Sequence, residues 1–242
     1  TGSIDITKIH QKLDSFFDKF ERMEKVQMPP VVFENNGMKI LKTTHAGDEI
    51  IGGIMTIKLG EDNYNEKVSD YAILSNLVYL ANEKLCDYFT TEDKGILLDG
   101  AFVELNNGHL LLHTHFQMDS VELVNDVWKM WNFAWQKIVE EGIDEKIIES
   151  VLNNKIVEFD IEYEKGYASK LNSEQFYYYM QGDRFQKERS TKVYMIQLKE
   201  DLKNNSLMNT IINDKFLRKN NAVIAYSVEN TNFVTDYNNM IS

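Results

Sequence analysis

Ile96-Leu97-Leu98-Asp99-Gly100-Ala101-Phe102-Val103-Glu104-Leu105-Asn106-Asn107-Gly108-His109-Leu110-Leu111-Leu112-His113-Thr114-His115-Phe116 is the stretch that decides the fold. Ile96 to Leu105 and Leu110 to Phe116 read as strands, joined through Asn106-Asn107-Gly108. Asn-Gly between apolar runs is a hairpin signal, because both residues tolerate positive φ. An antiparallel pair at the middle of the chain therefore anchors the rest.

Upstream, the same signal occurs once more. Val31-Val32-Phe33 runs into Asn35-Asn36-Gly37, and Met38, Ile40 and Leu41 follow. A third strand is expected over Ile50 to Leu59, with a bulge at Gly52-Gly53. Between it and the central hairpin, Lys67 to Tyr88 has helical spacing, with Leu74, Leu77, Val78, Ala81, Leu85 and Tyr88 on one face. The middle of this helix is apolar nearly all round, which predicts deep burial. Ahead of all these, Ile4 to Val26 places Ile6, Ile9, Leu13, Phe16, Phe17 and Phe20 at helical intervals. It ends before Pro29-Pro30, which disfavour helix at and before them. This segment reads as a linker helix, and Thr1-Gly2-Ser3 as a tag remnant on an excised piece.

Downstream the pattern is helical. Asp119 is the expected cap of a helix carrying Val121, Val124, Trp128, Trp131, Trp135 and Ile138, with Glu122 three residues on and Gly142 as the stop. Asp144 is the expected cap of the next, with Ile143 and Ile148 as a hydrophobic staple and Ile148, Leu152, Ile156 and Phe159 inward. Further helices are expected at Tyr167 to Gln181, Thr191 to Asn204 and Leu207 to Lys219, and a last strand at Ala222 to Val228. Tightly turned strands with helices gathered late predict an α+β fold, a mainly antiparallel sheet with helices packed on one face.

Composition narrows the function. The chain has 242 residues, enough for a substantial core, and its 43 % hydrophobic and 26 % charged shares are ordinary for a globular protein. A net charge of −12 gives no electrostatic support to nucleic-acid binding. No apolar run is long enough to span a membrane, and no secretory leader is visible. With Cys86 the only cysteine, no internal disulfide is possible and the compartment stays open.

The five histidines are His10, His45, His109, His113 and His115. A helical zinc site needs two histidines four apart with a glutamate between them. His109 and His113 have the spacing, but Leu112 stands at the glutamate position, and four strand residues span about 13 Å. The inverted order His-x-x-Glu-His is absent too. His113-Thr114-His115 places two rings on one strand face about 7 Å apart. They are either an ordinary polar sheet face or half of a metal site completed by a carboxylate from elsewhere. Cys86 reads as a packing thiol. No Gly-x-Ser-x-Gly elbow or phosphate loop occurs. The tryptophan row reads as core, or else as a docking face. Phe176-Tyr177-Tyr178-Tyr179 wraps a helix, so one ring must face outward, towards solvent or a partner. The acidic run Glu158 to Glu164 reads as a solvated helix end.

These elements, in this order, resemble a family. Phe33-Glu34-Asn35-Asn36-Gly37-Met38-Lys39-Ile40-Leu41 is similar to the opening hairpin of insulinase/pitrilysin zinc peptidase domains. Those domains come in homologous copies, of which one carries the inverted zinc motif on its first long helix. Tyr88-Phe89-Thr90-Thr91-Glu92-Asp93-Lys94-Gly95-Ile96 is similar to a Leu-Arg-Thr-Lys-Glu-Gln-Leu-Gly-Tyr string in the last domain of the insulin-degrading-enzyme branch. Thr90, Glu92 and Gly95 agree. The Arg and Tyr that assist substrate and the reacting carbonyl are replaced by Phe89 and Ile96, which donate no hydrogen bond. The later helices, through Lys170-Leu171 to Gly182-Asp183-Arg184-Phe185, follow the family layout.

The resemblance implies residues 1–28 as remnant and linker helix, and 29–242 as one insulinase-like domain without the zinc motif. It implies a non-catalytic domain that encloses peptide substrate against a separate zinc-bearing domain, with no catalytic residue or metal ligand of its own. Phe89, Thr90, Glu92, Gly95 and Ile96 become the candidates for substrate contact. The expected partners are the other domains of the parent peptidase and a peptide. A scaffold or assembly subunit without protease activity, and a peptide- or protein-binding module, are the alternatives.

Overall fold

The computed structural model describes residues 5–19, 38–45, 51–61, 70–92, 94–106, 108–164 and 192–229. The chain divides into two units, Thr1–Glu34 and Asn35–Ser242. In the first, helix α1 (Ile6–Phe17) is capped by Asp5, whose carboxylate accepts from the Lys8 amide at 3.3 Å. The helix ends at Phe17, and the remainder of the expected helical segment, residues 20–26, lies outside the described residues. Asp14 and Asp18 crowd its C-terminal end, where negative charge opposes the helix dipole. Val31 to Gly37, the expected first hairpin limb and its Asn36-Gly37 turn, lie outside the described residues.

The second unit is built on a five-stranded sheet in the order β1-β5-β2-β4-β3. Its strands are β1 (Lys39–His45), β2 (Ile51–Glu61), β3 (Ile96–Asn106), β4 (His109–Met118) and β5 (Ala222–Glu229). Among the described residues only the β1–β5 pairing is parallel; the β5–β2, β2–β4 and β4–β3 pairings are antiparallel. The central hairpin turns where the sequence places it. Asn106 pairs with His109, and Gly108 takes φ +80°, a region that favours glycine.

Burial alternates along the strands. Met55, Ile57 and Leu59 of β2, Val103 and Leu105 of β3, and Leu110, Leu112 and Phe116 of β4 all enter one core. Helix α2 (Asp70–Thr91) buries Leu74, Leu77, Val78, Ala81, Leu85 and Phe89 in that same core. Gly52-Gly53 are not a bulge. They pair in register with Gln117 and Phe116, and the β2 irregularity falls between Lys58 and Gly60. The glycine at 53 answers to packing instead. A Cβ there would stand 2.3 Å from the Phe116 ring and 2.9 Å from the Ala225 carbonyl oxygen.

Helix α3 (Val124–Glu141) follows a short 3-10 turn, Val121–Leu123. Ser120, not Asp119, caps this turn, its hydroxyl accepting from the Glu122 amide at 3.3 Å. Asp119 is held elsewhere: its amide donates to the Gly95 carbonyl at 2.9 Å. Trp128, Trp131 and Trp135 are all buried, so the tryptophan row is core. Helix α4 (Glu145–Glu164) is capped as expected, with Asp144 accepting from the Lys146 amide at 2.8 Å and Ile143 and Ile148 buried together.

Helix α5 (Lys192–Leu202) and helix α6 (Asn205–Ile211) close the core. The sequence places the last helix at Leu207 to Lys219, but Asn204 starts it earlier by accepting from the Leu207 amide. After Ile211 it widens into a π-turn, Ile212–Phe216, whose Phe216 carbonyl accepts from the Trp131 indole at 3.0 Å. An indole donor from a neighbouring helix thus satisfies a carbonyl that the regular helix would have used. Residues 165–191, including the expected helix with its Phe176 to Tyr179 run, lie outside the described residues. Among the described residues no helix is long and apolar enough to cross a membrane.

Candidate functional site

The string from Tyr88 to Ile96 joins α2 to the edge strand β3, and its residues divide between core and surface. Phe89, in the last turns of α2, and Ile96, the first residue of β3, are each 1 % exposed. Thr90 is exposed and its hydroxyl turns back to the Cys86 carbonyl at 3.0 Å. Glu92 is exposed and pairs with Lys94 at 3.1 Å. Gly95 takes φ +69° with Asp119 against it, so a Cβ would meet the carboxylate at 2.6 Å. The five candidates therefore do not converge on one surface. Two apolar residues pin α2 onto the sheet, two polar ones face outward, and the glycine permits the turn between them.

The polar positions on α2 serve packing. The 22-residue helix contains no histidine, and the imidazole pair a helical zinc site needs cannot be supplied from it. Asn76 is buried and donates to the Ala72 carbonyl at 2.8 Å. Its side-chain oxygen accepts from Lys155 of α4 at 2.6 Å, and the Lys155 ammonium stands 4.8 Å from the centre of the Tyr79 ring. Burial depresses the Lys155 pKa, with Glu158 opposing it. This cluster has a signal in the sequence that the apolar reading passed over. Lys155 occupies the inward stripe of α4, three residues after Leu152 and seven after Ile148. Cys86 is half-buried. Burial, then Asp87 and Asp99, push its thiol up, which disfavours the nucleophilic thiolate.

The outer sheet face carries the histidines. The His113 Nδ1 and Thr56 Oγ1 share a hydrogen bond of 3.0 Å, while its Nε2 lies 3.1 Å from Glu104. The Phe102 ring stacks beside both His113 and His115, with centroid distances of 5.2 and 5.7 Å. Burial lowers the His113 pKa, and Glu104 opposes that shift. The carboxylate that would complete a metal site is thus present as a partner to one imidazole. Among the described residues, however, no three His, Cys, Asp or Glu side chains gather as a metal would require.

This architecture has solved counterparts. The chain is similar to the first half of the periplasmic protease PqqL from Escherichia coli, with TM-score 0.63 and 14 % identity over 95 % of this chain and 50 % of that one. It is similar to a protease from Helicobacter pylori, with TM-score 0.62 and 13 % identity over 94 % of this chain and 54 % of that one. It is also similar to a peptidase M16 inactive domain from Pseudomonas fluorescens, with TM-score 0.54 and 12 % identity over 96 % of this chain and 52 % of that one. The fold is that of M16, insulinase-type, peptidase domains. The chain spans about half the length of these solved chains, 50 % and 54 % for the first two. No family model matches the sequence, and a search of curated proteins finds no match.

Proposed function

We propose that this chain is a non-catalytic domain of an insulinase-like zinc metalloendopeptidase, closing a peptide-enclosing chamber against a separate domain that holds the zinc. The observation that carries the reading is α2. It is the long helix of an insulinase-type fold, yet it has no histidine, and its buried polar group, Asn76, is engaged by Ala72 and Lys155. The half-length match to solved proteases supports a second domain, and one counterpart is itself an inactive M16 domain.

In this reading the domain contributes shape. A peptide enclosed between two domains is held in place and shielded from water, which lowers the entropic part of the barrier without a charged group from this side. Phe89 and Ile96 act through the fold, by fastening α2 to β3. Thr90 and Glu92, on the surface beside them, are the residues of the string that can reach a peptide. The zinc and its chemistry belong to the other domain.

The test is a fluorogenic peptide assay on the full-length parent, on its zinc-bearing half alone, and on that half with this chain added. Weak turnover by the half alone, restored towards the parent's level by this chain, is expected. A zinc-bearing half with the parent's own kcat and KM would overturn the closing role. A parent without chelator-sensitive turnover would favour the scaffold reading.

A further inference from the structure

A sheet that ends in a free strand offers unpaired backbone donors and acceptors to any other chain, and folded proteins protect such edges. Among the described residues the sheet ends at β1 on one side and at β3 on the other. The β1 edge is protected by its own sequence: it is seven residues long and carries Lys39 and Lys42. β3 is eleven residues long and contains no lysine, arginine or proline. Its two charges are held on the sheet face, Asp99 by the Gln117 amide at 3.1 Å and Glu104 by His113 at 3.1 Å. Leu97 and Phe102 of the same strand are exposed. By length and composition, β3 is an edge that a second copy could extend.

Its protection comes from α2. The Ala101 amide donates to the Asn82 side-chain oxygen at 2.9 Å, so it is committed to the helix and not to β4. Beside it the β3–β4 register shifts between Leu98 and Gly100. Such a bulge bends an edge strand and interrupts its pairing row. Asn82 lies over this bulge, since a Cβ built on Gly100 would stand 3.5 Å from the Asn82 Nδ2. One side chain thus takes both the donor and the space that a carbonyl of an added strand would need.

We infer that the Asn82–Ala101 hydrogen bond is a guard contact, closing the β3 edge to strand addition by a second copy of this chain. A symmetric pair would set β3 antiparallel against its twin, with main-chain bonds across the joint. With Asn82 in place, the row is broken at Ala101, the middle of the strand. Without it, the Ala101 amide loses its acceptor and a carbonyl of the twin strand takes that place.

The experiment is sedimentation equilibrium of the folded 242-residue chain, unaltered and as Asn82→Ala and Asn82→Asp. Asn82→Ala is expected to self-associate roughly tenfold more tightly, since the hydrogen bond passes from the helix to the twin strand. Asn82→Asp keeps an acceptor for the Ala101 amide and should match the unaltered chain. Adding Phe102→Lys to Asn82→Ala puts like charges on the joint and should reverse the gain. Should Asn82→Ala fail to fold, amide hydrogen exchange in the unaltered chain decides. Amides two residues apart on a strand point the same way, so those of Val103 and Leu105 share the direction of Ala101. Ala101 must exchange roughly fivefold or more slowly than those two, because it alone of the three has the Asn82 acceptor. Unchanged association in Asn82→Ala, an equal gain in Asn82→Asp, a gain that survives Phe102→Lys, or Ala101 exchange as fast as that of Val103 and Leu105 would each overturn the inference.

Discussion

The Tyr88 hydroxyl of α2 donates to the Glu141 carboxylate at the C-terminal end of α3, at 2.5 Å. Lys84, one turn earlier on α2, reaches the same carboxylate at 3.2 Å and the Gly142 carbonyl at 3.1 Å. Together they anchor two helices where α3 ends and α2 approaches the candidate string. Burial, reinforced by Glu141, pushes the Tyr88 pKa from the ordinary 10.0 to about 12. A raised pKa means the folded chain holds the proton more tightly. The stabilisation is complete below pH 10 and is lost as pH rises towards 12. Alkaline absorbance titration should show one tyrosine ionising near 12, and Tyr88→Phe should abolish that component. A titration unchanged by the substitution would contradict the anchor.

Gly53→Ala tests the packing of β2 against β4. The new methyl would stand 2.3 Å from the Phe116 ring, and the Ala225 carbonyl blocks relief on the other side at 2.9 Å. Overpacking of this kind costs about 1–3 kcal/mol. Urea denaturation should report that loss for Gly53→Ala, whereas Gly52→Ala meets nothing within 4 Å and should cost less. Equal costs at the two positions would refute the close-approach argument.

Much of this architecture was legible in the residues. The central hairpin, the buried middle of α2 and the staple at Ile143 and Ile148 follow from short-range patterns that tertiary packing leaves intact. What the sequence hid depends on long-range contact. Nothing local distinguishes a bulged Gly-Gly from one lying beneath a phenylalanine from another strand. Nothing in Ile211 to Phe216 reveals that an indole 85 residues away will take the Phe216 carbonyl. The candidate string was legible as a string, but its division into core and surface was not. That depends on which side of α2 meets β3. Lys155 was readable, as a charge in an apolar stripe, though its meaning required Asn76 opposite.

The two central tryptophans should differ in their dependence on the indole nitrogen. Trp131 and Trp135 are both fully buried, and Trp131 donates to Phe216. Among the described residues the Trp135 nitrogen has no hydrogen-bond partner. Trp131→Phe removes ring volume and orphans a carbonyl, costing roughly 2–4 kcal/mol. Trp135→Phe loses volume only and should cost about 1 kcal/mol less. Chemical denaturation of the two variants distinguishes them, and the reverse order would refute the π-turn contact.

His113 should titrate below the ordinary histidine value of 6.5, because burial favours its neutral form. A depressed pKa stabilises the fold above 6.5, and that contribution is lost as pH falls through the folded value. Glu104 opposes the shift, so Glu104→Gln should depress the midpoint further. Imidazole proton NMR across acid pH measures both. A midpoint above 6.5, or one raised by Glu104→Gln, would show that the ion pair outweighs burial.

The proposed function requires that this domain not hydrolyse peptides by itself. Metal-assisted hydrolysis needs a bound Lewis acid and a carboxylate base within reach of the same water. Helix α2 has no histidine, and the described residues gather no three metal-binding side chains. The direct measurement is turnover of a fluorogenic peptide by the isolated chain across a range of added zinc. The account predicts none at any concentration. Chelator-sensitive turnover that co-purifies with the chain through successive columns would contradict it.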